Sequence, residues 1–262
     1  MEPFFFDSEG QALFGCYHEP RSRARDCAIL LANPLGHEYV QFHRVYRQLA
    51  IMLADAGFPV LRFDYTGTGD SSGDYPEWSM ARWATDIERA AEEVKRRASS
   101  SRKAVVGLRV GGSIALEVAA KSGDLDSLVL WDPIVNGSAY VDELRASHES
   151  MMGYAHVIPK PEAGTPPEVL GFPFPDSVAS EIGLVDLLTT EKKAARRVLV
   201  IESNDAVAQK PLCDALSKAG SVASHQQYSN PHLWVWTEDF AKMHVPRRIL
   251  QAIVDWFSEE YA

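Results

Sequence analysis

The stretch that most constrains the fold is Val105-Val106-Gly107-Leu108-Arg109-Val110-Gly111-Gly112-Ser113-Ile114-Ala115-Leu116. An apolar run, a glycine-bracketed turn and a helical pattern follow one another without a spacer, which predicts a sharp elbow from a strand into a helix. Such an elbow lifts the side chain at its tip clear of the sheet and aims a helix N-terminus at it. The pattern that uses it for covalent chemistry is G-x-S-x-G, with a serine at the tip. Here the tip is Arg109, whose guanidinium stays protonated and attacks nothing. Gly107, Gly111 and Gly112 are expected to give the backbone the freedom to turn.

The flanks read as strands and helices in alternation. Phe4-Phe5-Phe6 and Ala12–Tyr17 predict an antiparallel edge hairpin turning near Ser8-Glu9-Gly10. Ala28–Ala32 is a continuous apolar run, as in a strand buried on both faces. It is followed by Asn33-Pro34-Leu35-Gly36-His37-Glu38, read as a loop. Val45, Leu49, Met52 and Leu53 mark a helix stopped by Gly57, and Pro59–Asp64 a second strand, which predicts a right-handed parallel crossover. After the turn-rich Tyr65–Gly73, the spacing of Trp83, Ile87, Ala91 and Val94 predicts the helix that precedes the elbow strand. Further strands are read at Leu128–Trp131, Arg197–Ile201 and near His225–Tyr228, and Ile249, Ile253 and Trp256 mark a closing helix. The pattern predicts an α/β fold with a mostly parallel central sheet flanked by helices. Residues 138–190 break the rhythm, being too long for a connection and too apolar for a linker. They are read as a cap over the strand ends, inserted into a core formed by 1–137 and 191–262. Met151, Met152, Phe172 and Phe174 are expected to pack in the cap and double as an apolar pocket wall.

Composition narrows the partners. A net charge of −10 argues against nucleic acid and anionic membranes, both of which need a basic footprint, and leaves a small-molecule partner. Cys16, Cys27 and Cys213 form no disulfide framework and no C-x-x-C pair. Phe4-Phe5-Phe6 lacks a basic leader and ends at Asp7, so it is neither signal peptide nor span, and a cytoplasmic protein is expected. No metal or cofactor is expected, and the sequence leaves the oligomeric state open.

Asn33–Glu38, Leu61-Arg62-Phe63-Asp64-Tyr65-Thr66-Gly67-Thr68-Gly69-Asp70-Ser71, the elbow and Trp131-Asp132-Pro133 together resemble the α/β-hydrolase superfamily. Within it the resemblance is to the serine-aminopeptidase-like branch that includes exosortase-associated and polyketide-cluster hydrolases, and it spans nearly the whole chain. It implies one oxyanion-hole amide near Leu35 and another at Val110. It also implies a triad acid at Asp205, in Glu202-Ser203-Asn204-Asp205, and a base at His232, in Ser229-Asn230-Pro231-His232. The order of tip, acid and histidine agrees with the family. The departure is Arg109, where the resemblance implies serine.

Alternatives stand beside these assignments. His244 is a rival base, Asp132 an alternative acid with a turn role suggested by Pro133, and His37 a substrate contact or a solvated loop residue. Ser71 lacks a following helix and Ser113 lies inside one, so neither is read as a nucleophile. Arg109 is either an anion receptor, its planar fork beside two amides suiting a carboxylate or enolate, or the remnant of a decayed site paired with Asp205, Asp132 or Glu38. The first reading gives non-covalent acid/base catalysis, carried furthest as elimination of a carboxylate such as acetate from an acylated secondary metabolite. Hydrolysis of an ester or thioester by a directly activated water, and a non-catalytic binding protein, are the alternatives.

Overall fold

The computed structural model describes residues 1–74, 77–155, 167–203, 209–229 and 245–262. Its centre is β5 (Lys103–Leu108), buried along its length. Val105 faces one layer of helices, while Ala104, Val106 and Leu108 face the other. On one side of β5 lies β3 (Ala28–Ala32), then β4 (Val60–Phe63), then the hairpin of β2 (Gln11–His18) and β1 (Glu2–Ser8); on the other lie β6 (Leu125–Trp131), β9 (Ala195–Glu202) and β10 (Val222–Gln227). The pairs from β4 across to β10 are parallel, and β1 with β2 and β2 with β4 are antiparallel. This is the mostly parallel sheet that the alternation predicts. The hairpin turn has positive φ at both Glu9 and Gly10, 51° and 88°, the handedness that suits strand twist.

Helices cover both faces. α2 (Met80–Ala98) and α3 (Val110–Ser122) pack with the layer that includes Trp83, Ile87 and Ile114. α1 (Gly36–Asp55) and α7 (Arg247–Glu260) bury Phe42, Leu49, Ile253 and Phe257 against the other face. Ser79 caps α2 by accepting the Arg82 amide at 3.0 Å. Between β6 and β9 the chain forms α4 (Gly137–Ala155), a two-stranded ribbon of β7 (Glu168–Val169) and β8 (Phe172–Pro173), and α5 (Asp176–Gly183). Glu181 of α5 accepts the Met80 amide at 2.6 Å and so ties this segment to the start of α2. α6 (Lys210–Lys218) lies between β9 and β10.

Two boundaries differ from the sequence reading. Asn33–Glu38 is not wholly loop: α1 begins at Gly36, whose φ of 57° turns the chain out of Leu35 directly into the helix. Glu38 then falls in the first turn, where a carboxylate opposes the helix dipole favourably. The last strand starts at Val222 and ends at Gln227, because its parallel register with Arg197–Glu202 defines it more than its own polar sequence. Among the described residues no helix is long and apolar enough to cross a membrane, and the three cysteines are buried and unpaired with one another.

Candidate active site

The elbow forms as its sequence requires, with the strain concentrated at its tip. Arg109 has φ 53° and ψ −124° and is the residue from which α3 starts. A non-glycine residue held there costs on the order of 1–3 kcal/mol, and such strain persists only where surrounding structure over-determines it. That structure is visible: the Arg109 amide donates to the Trp131 carbonyl at 3.1 Å, and its carbonyl accepts from the amides of Gly112 and Ser113 at 3.0 and 3.1 Å. The glycines serve a different purpose from the one expected of them. Gly107, Gly111 and Gly112 all lack positive φ. A Cβ on Gly107 would lie 2.4 Å from Gly112 Cα, and one on Gly111 only 2.2 Å from the Asn33 carbonyl oxygen. They are needed for clearance, so that α3 can close onto β5 and onto the chain leaving β3.

Arg109 is 4% exposed and meets Glu38, 2% exposed, and Tyr140 of α4, 5% exposed. Its Nε donates to Glu38 Oε1 at 2.8 Å, and its guanidinium carbon lies 5.0 Å from the centre of the Tyr140 ring. The Tyr140 hydroxyl donates to Glu38 Oε2 at 3.0 Å, and Glu143 comes within 3.7 Å of the guanidinium. Burial works against the Arg109 charge, but Glu38, Tyr140 and Glu143 outweigh it and raise its pKa further. Burial first, and then the Glu38 charge, hold the Tyr140 hydroxyl well above its ordinary pKa, so it remains a donor. Glu38, one of the three carboxylates weighed as partners for Arg109, is thus in contact with it.

The N-terminal turns of α1 and α3 meet beside this cluster, as the contact between Gly111 and Asn33 requires. Leu35, Gly36 and His37 from one, and Val110 from the other, line a small cavity of about 40 Å³. The first amides of a helix lack partners within it and carry its positive dipole end, so this end of the cavity suits an oxygen that gains negative charge. Burial first, and the Arg109 charge, hold the His37 pKa below its ordinary value despite Glu38, keeping the imidazole neutral near pH 7. The remaining wall is apolar and includes Trp78, Trp83, Tyr140, Phe172 and Phe174. Met151 packs against the core layer without lining the cavity.

Asp132 lies at the end of β6 with φ 41° and is fully buried. Its carboxylate accepts the Ser203 amide at 2.7 Å and the Ser203 hydroxyl, tying the end of β6 to the end of β9. Asp205, His232 and the rival His244 lie outside the described residues. The hydroxyls of the two discounted serines are engaged in structural bonds. Ser71 Oγ donates to the Asp64 carbonyl at 2.6 Å and accepts from Phe14, while Ser113 Oγ joins the backbone of Ile134. Among the described residues no cluster of His, Cys, Asp and Glu could hold a metal ion.

Sequence reasoning did not anticipate Tyr140, Glu143, Trp78 or Trp83 as site residues. Trp83 carried a signal, since its place on the buried stripe of α2 was read, but the stripe alone does not say that the ring also borders a cavity. Tyr140 and Glu143 carried none, because they reach the elbow from a helix packed over it.

Comparison with known proteins agrees with this architecture. The family model for serine aminopeptidase, S33, matches residues 35–225. No curated protein matches the chain. Among solved structures, a thermostable carboxyl esterase from Bacillus coagulans, in complex with glycerol, superposes with a TM-score of 0.69 at 14% identity, covering 100% of this chain and 99% of that one. Est1E from Butyrivibrio proteoclasticus with bound ferulic acid gives 0.68 at 14%, covering 98% of each. Proline iminopeptidase from Mycobacterium smegmatis gives 0.66 at 14%, covering 99% and 98%. At such identity these structures speak for the fold, while the family match spans most of the chain. The chain therefore belongs to the serine aminopeptidase, S33, family of the α/β-hydrolase superfamily.

Proposed function

We propose that this protein is an enzyme that works on an acylated small molecule without forming an acyl-enzyme, and that its reaction is elimination of a carboxylate such as acetate, as in a secondary-metabolite pathway. The observation that carries this reading is Arg109 at the strained elbow tip, beside two helix N-termini and a cavity. In the proposed step a base, assigned to His232 with Asp205 as its partner, removes a proton next to a carbonyl. The amides near Leu35 and Val110 hold the enolate oxygen, the enolate electrons form the new C=C as the bond from the β-carbon to the acyloxy oxygen breaks, and an alkene and a carboxylate leave, with the proton on the base. Residues 138–190 serve as the cap over this site.

The geometry refines the role of Arg109. With Nε given to Glu38, and no place among the described residues lining the cavity, it acts through its charge more than as a fork around the substrate. It balances Glu38, which would otherwise put a buried negative charge where an enolate must form. The Arg109–Glu38 pair equally suits a second reading, a non-catalytic binding protein with an inert site. A cavity serves either reading, and turnover of an acyloxy carbonyl compound separates them.

The test is product analysis with a β-acetoxy ketone. Elimination yields an enone and hydrolysis a hydroxyketone, both releasing acetate and both distinguishable by NMR. Enone formation is expected. Hydroxyketone alone would move the assignment to water-mediated hydrolysis, and no turnover of any acyloxy carbonyl compound would favour the binding protein. A fluorophosphonate probe is expected to leave the folded protein unlabelled; stoichiometric labelling of Ser71 or Ser113 would contradict the absence of a covalent intermediate.

A further inference from the structure

We infer that the cavity selects an uncharged, flat aromatic carbonyl compound, with its ring held between Trp78 and Phe172 and its carbonyl oxygen directed to the paired helix N-termini at Gly36 and Val110. The inference deepens the proposed function and rests on the same cavity being the substrate site. Three observations carry it. The polar tips of the large aromatic residues are all committed elsewhere: Trp78 Nε1 donates to the Gly67 carbonyl at 3.1 Å, Trp83 Nε1 to that of Thr66 at 3.4 Å, and the Tyr140 hydroxyl to Glu38. What these residues offer a ligand is therefore carbon surface and ring faces.

No Asp, Glu, Lys or Arg is among the described lining residues. A free amine would lose its hydration and gain no ion pair from them, and a free carboxylate would meet the helix amides but no cationic side chain among them, whereas a neutral carbonyl accepts from the same amides at a far lower desolvation cost. The third observation is that the polar groups lie together. His37, Gly36 and Val110 come from the two chain segments that touch at Gly111 and Asn33, while Val169 and Phe172 come from the β7–β8 ribbon and Phe174 directly follows it. Phe172 reaches the polar end, its Cβ lying 3.7 Å from where a Cβ on Gly36 would stand. A ligand with one oxygen at one end and a ring at the other matches this division.

Binding is measured by isothermal titration calorimetry with three uncleavable or unreactive probes. They are hydrocinnamamide, which is neutral and aromatic, hydrocinnamate, which is its charged counterpart, and cyclohexanepropanamide, which is neutral and saturated. Hydrocinnamamide is expected to bind on the order of tenfold tighter than hydrocinnamate, and severalfold tighter than the saturated amide. Trp78→Ala and Phe172→Ala are each expected to weaken hydrocinnamamide on the order of tenfold. Two variants are used because either alone could disturb packing, and circular dichroism selects the folded one. Hydrocinnamate binding as tightly as the amide, equal binding of the saturated amide, or no binding at millimolar concentration would each overturn the inference. The readout is separate from turnover. The expected binding order without elimination would sink the proposed reaction and leave the ligand class standing, and elimination with a preference for charged or saturated substrates would do the reverse.

Discussion

At the scale of single residues, the Arg109–Glu38 pair decides most of what the elbow can do. Both partners are nearly excluded from water, so the pair is worth little against an apolar replacement but costs about 3–5 kcal/mol to break from one side. Glu38→Gln and Arg109→Met are therefore each expected to lower urea-unfolding stability, and their combination to lose less than the sum. The double-mutant cycle should give a coupling on the order of 1 kcal/mol or more; additivity within about 0.3 kcal/mol would mean that the contact is energetically idle. Only part of this was legible in the sequence. The arginine at the tip was plain, because an elbow pattern fixes one residue at one place. Its contact with Glu38, one of three candidate carboxylates, was not, since that depends on where the first turn of α1 starts. Tyr140, 31 residues beyond Arg109 in the numbering, could be placed only by packing.

At the scale of elements, the elbow and the sheet edge make separate claims. Gly111→Ala is expected to cost about 3 kcal/mol or prevent folding, because the added carbon meets rigid backbone at 2.2 and 2.6 Å. Gly123→Ala, at the end of α3 with φ 70° and open space around it, should cost only about 1 kcal/mol. Equal losses in thermal or urea unfolding would contradict the clearance argument. At the β2–β4 pair, buried His18 accepts a hydrogen bond at Nε2 from Arg62 Nε at 3.3 Å, which requires a neutral imidazole. Burial, with Arg62 adding to it, lowers the His18 pKa from 6.5 to about 4. Between those values the unfolded chain takes up a proton that the folded chain refuses, so stability falls as pH falls through this window. His18→Gln should flatten that slope, read as urea midpoints at pH 7 and pH 4.5; an unchanged slope would show that His18 titrates alike in both states. The elements themselves were legible because buried parallel strands are continuous apolar runs and amphipathic helices keep their period. β10 was the hardest to bound, being polar and defined by its neighbour.

At the scale of the whole molecule, the order of strands, helices and loops was readable because each crossover unit repeats the same pattern. The cavity was not, since its walls come from α1, α2, α3, α4, α5 and the β7–β8 ribbon together. Its position explains why one charge at the elbow matters: the N-termini of α1 and α3 supply positive potential there, and Glu38 opposes it unless Arg109 is present. The two partners of the ion pair are therefore expected to act oppositely on turnover, although both variants lose stability. The decisive measurement is the rate of enone formation from a β-acetoxy ketone, under conditions where circular dichroism shows each variant folded. Arg109→Met, which leaves Glu38 uncompensated, should lose on the order of 10²–10³-fold, while Glu38→Gln, which leaves the cation in place, should stay within a few-fold of the parent. Undiminished enone formation by folded Arg109→Met, or parallel losses in both variants, would contradict the account.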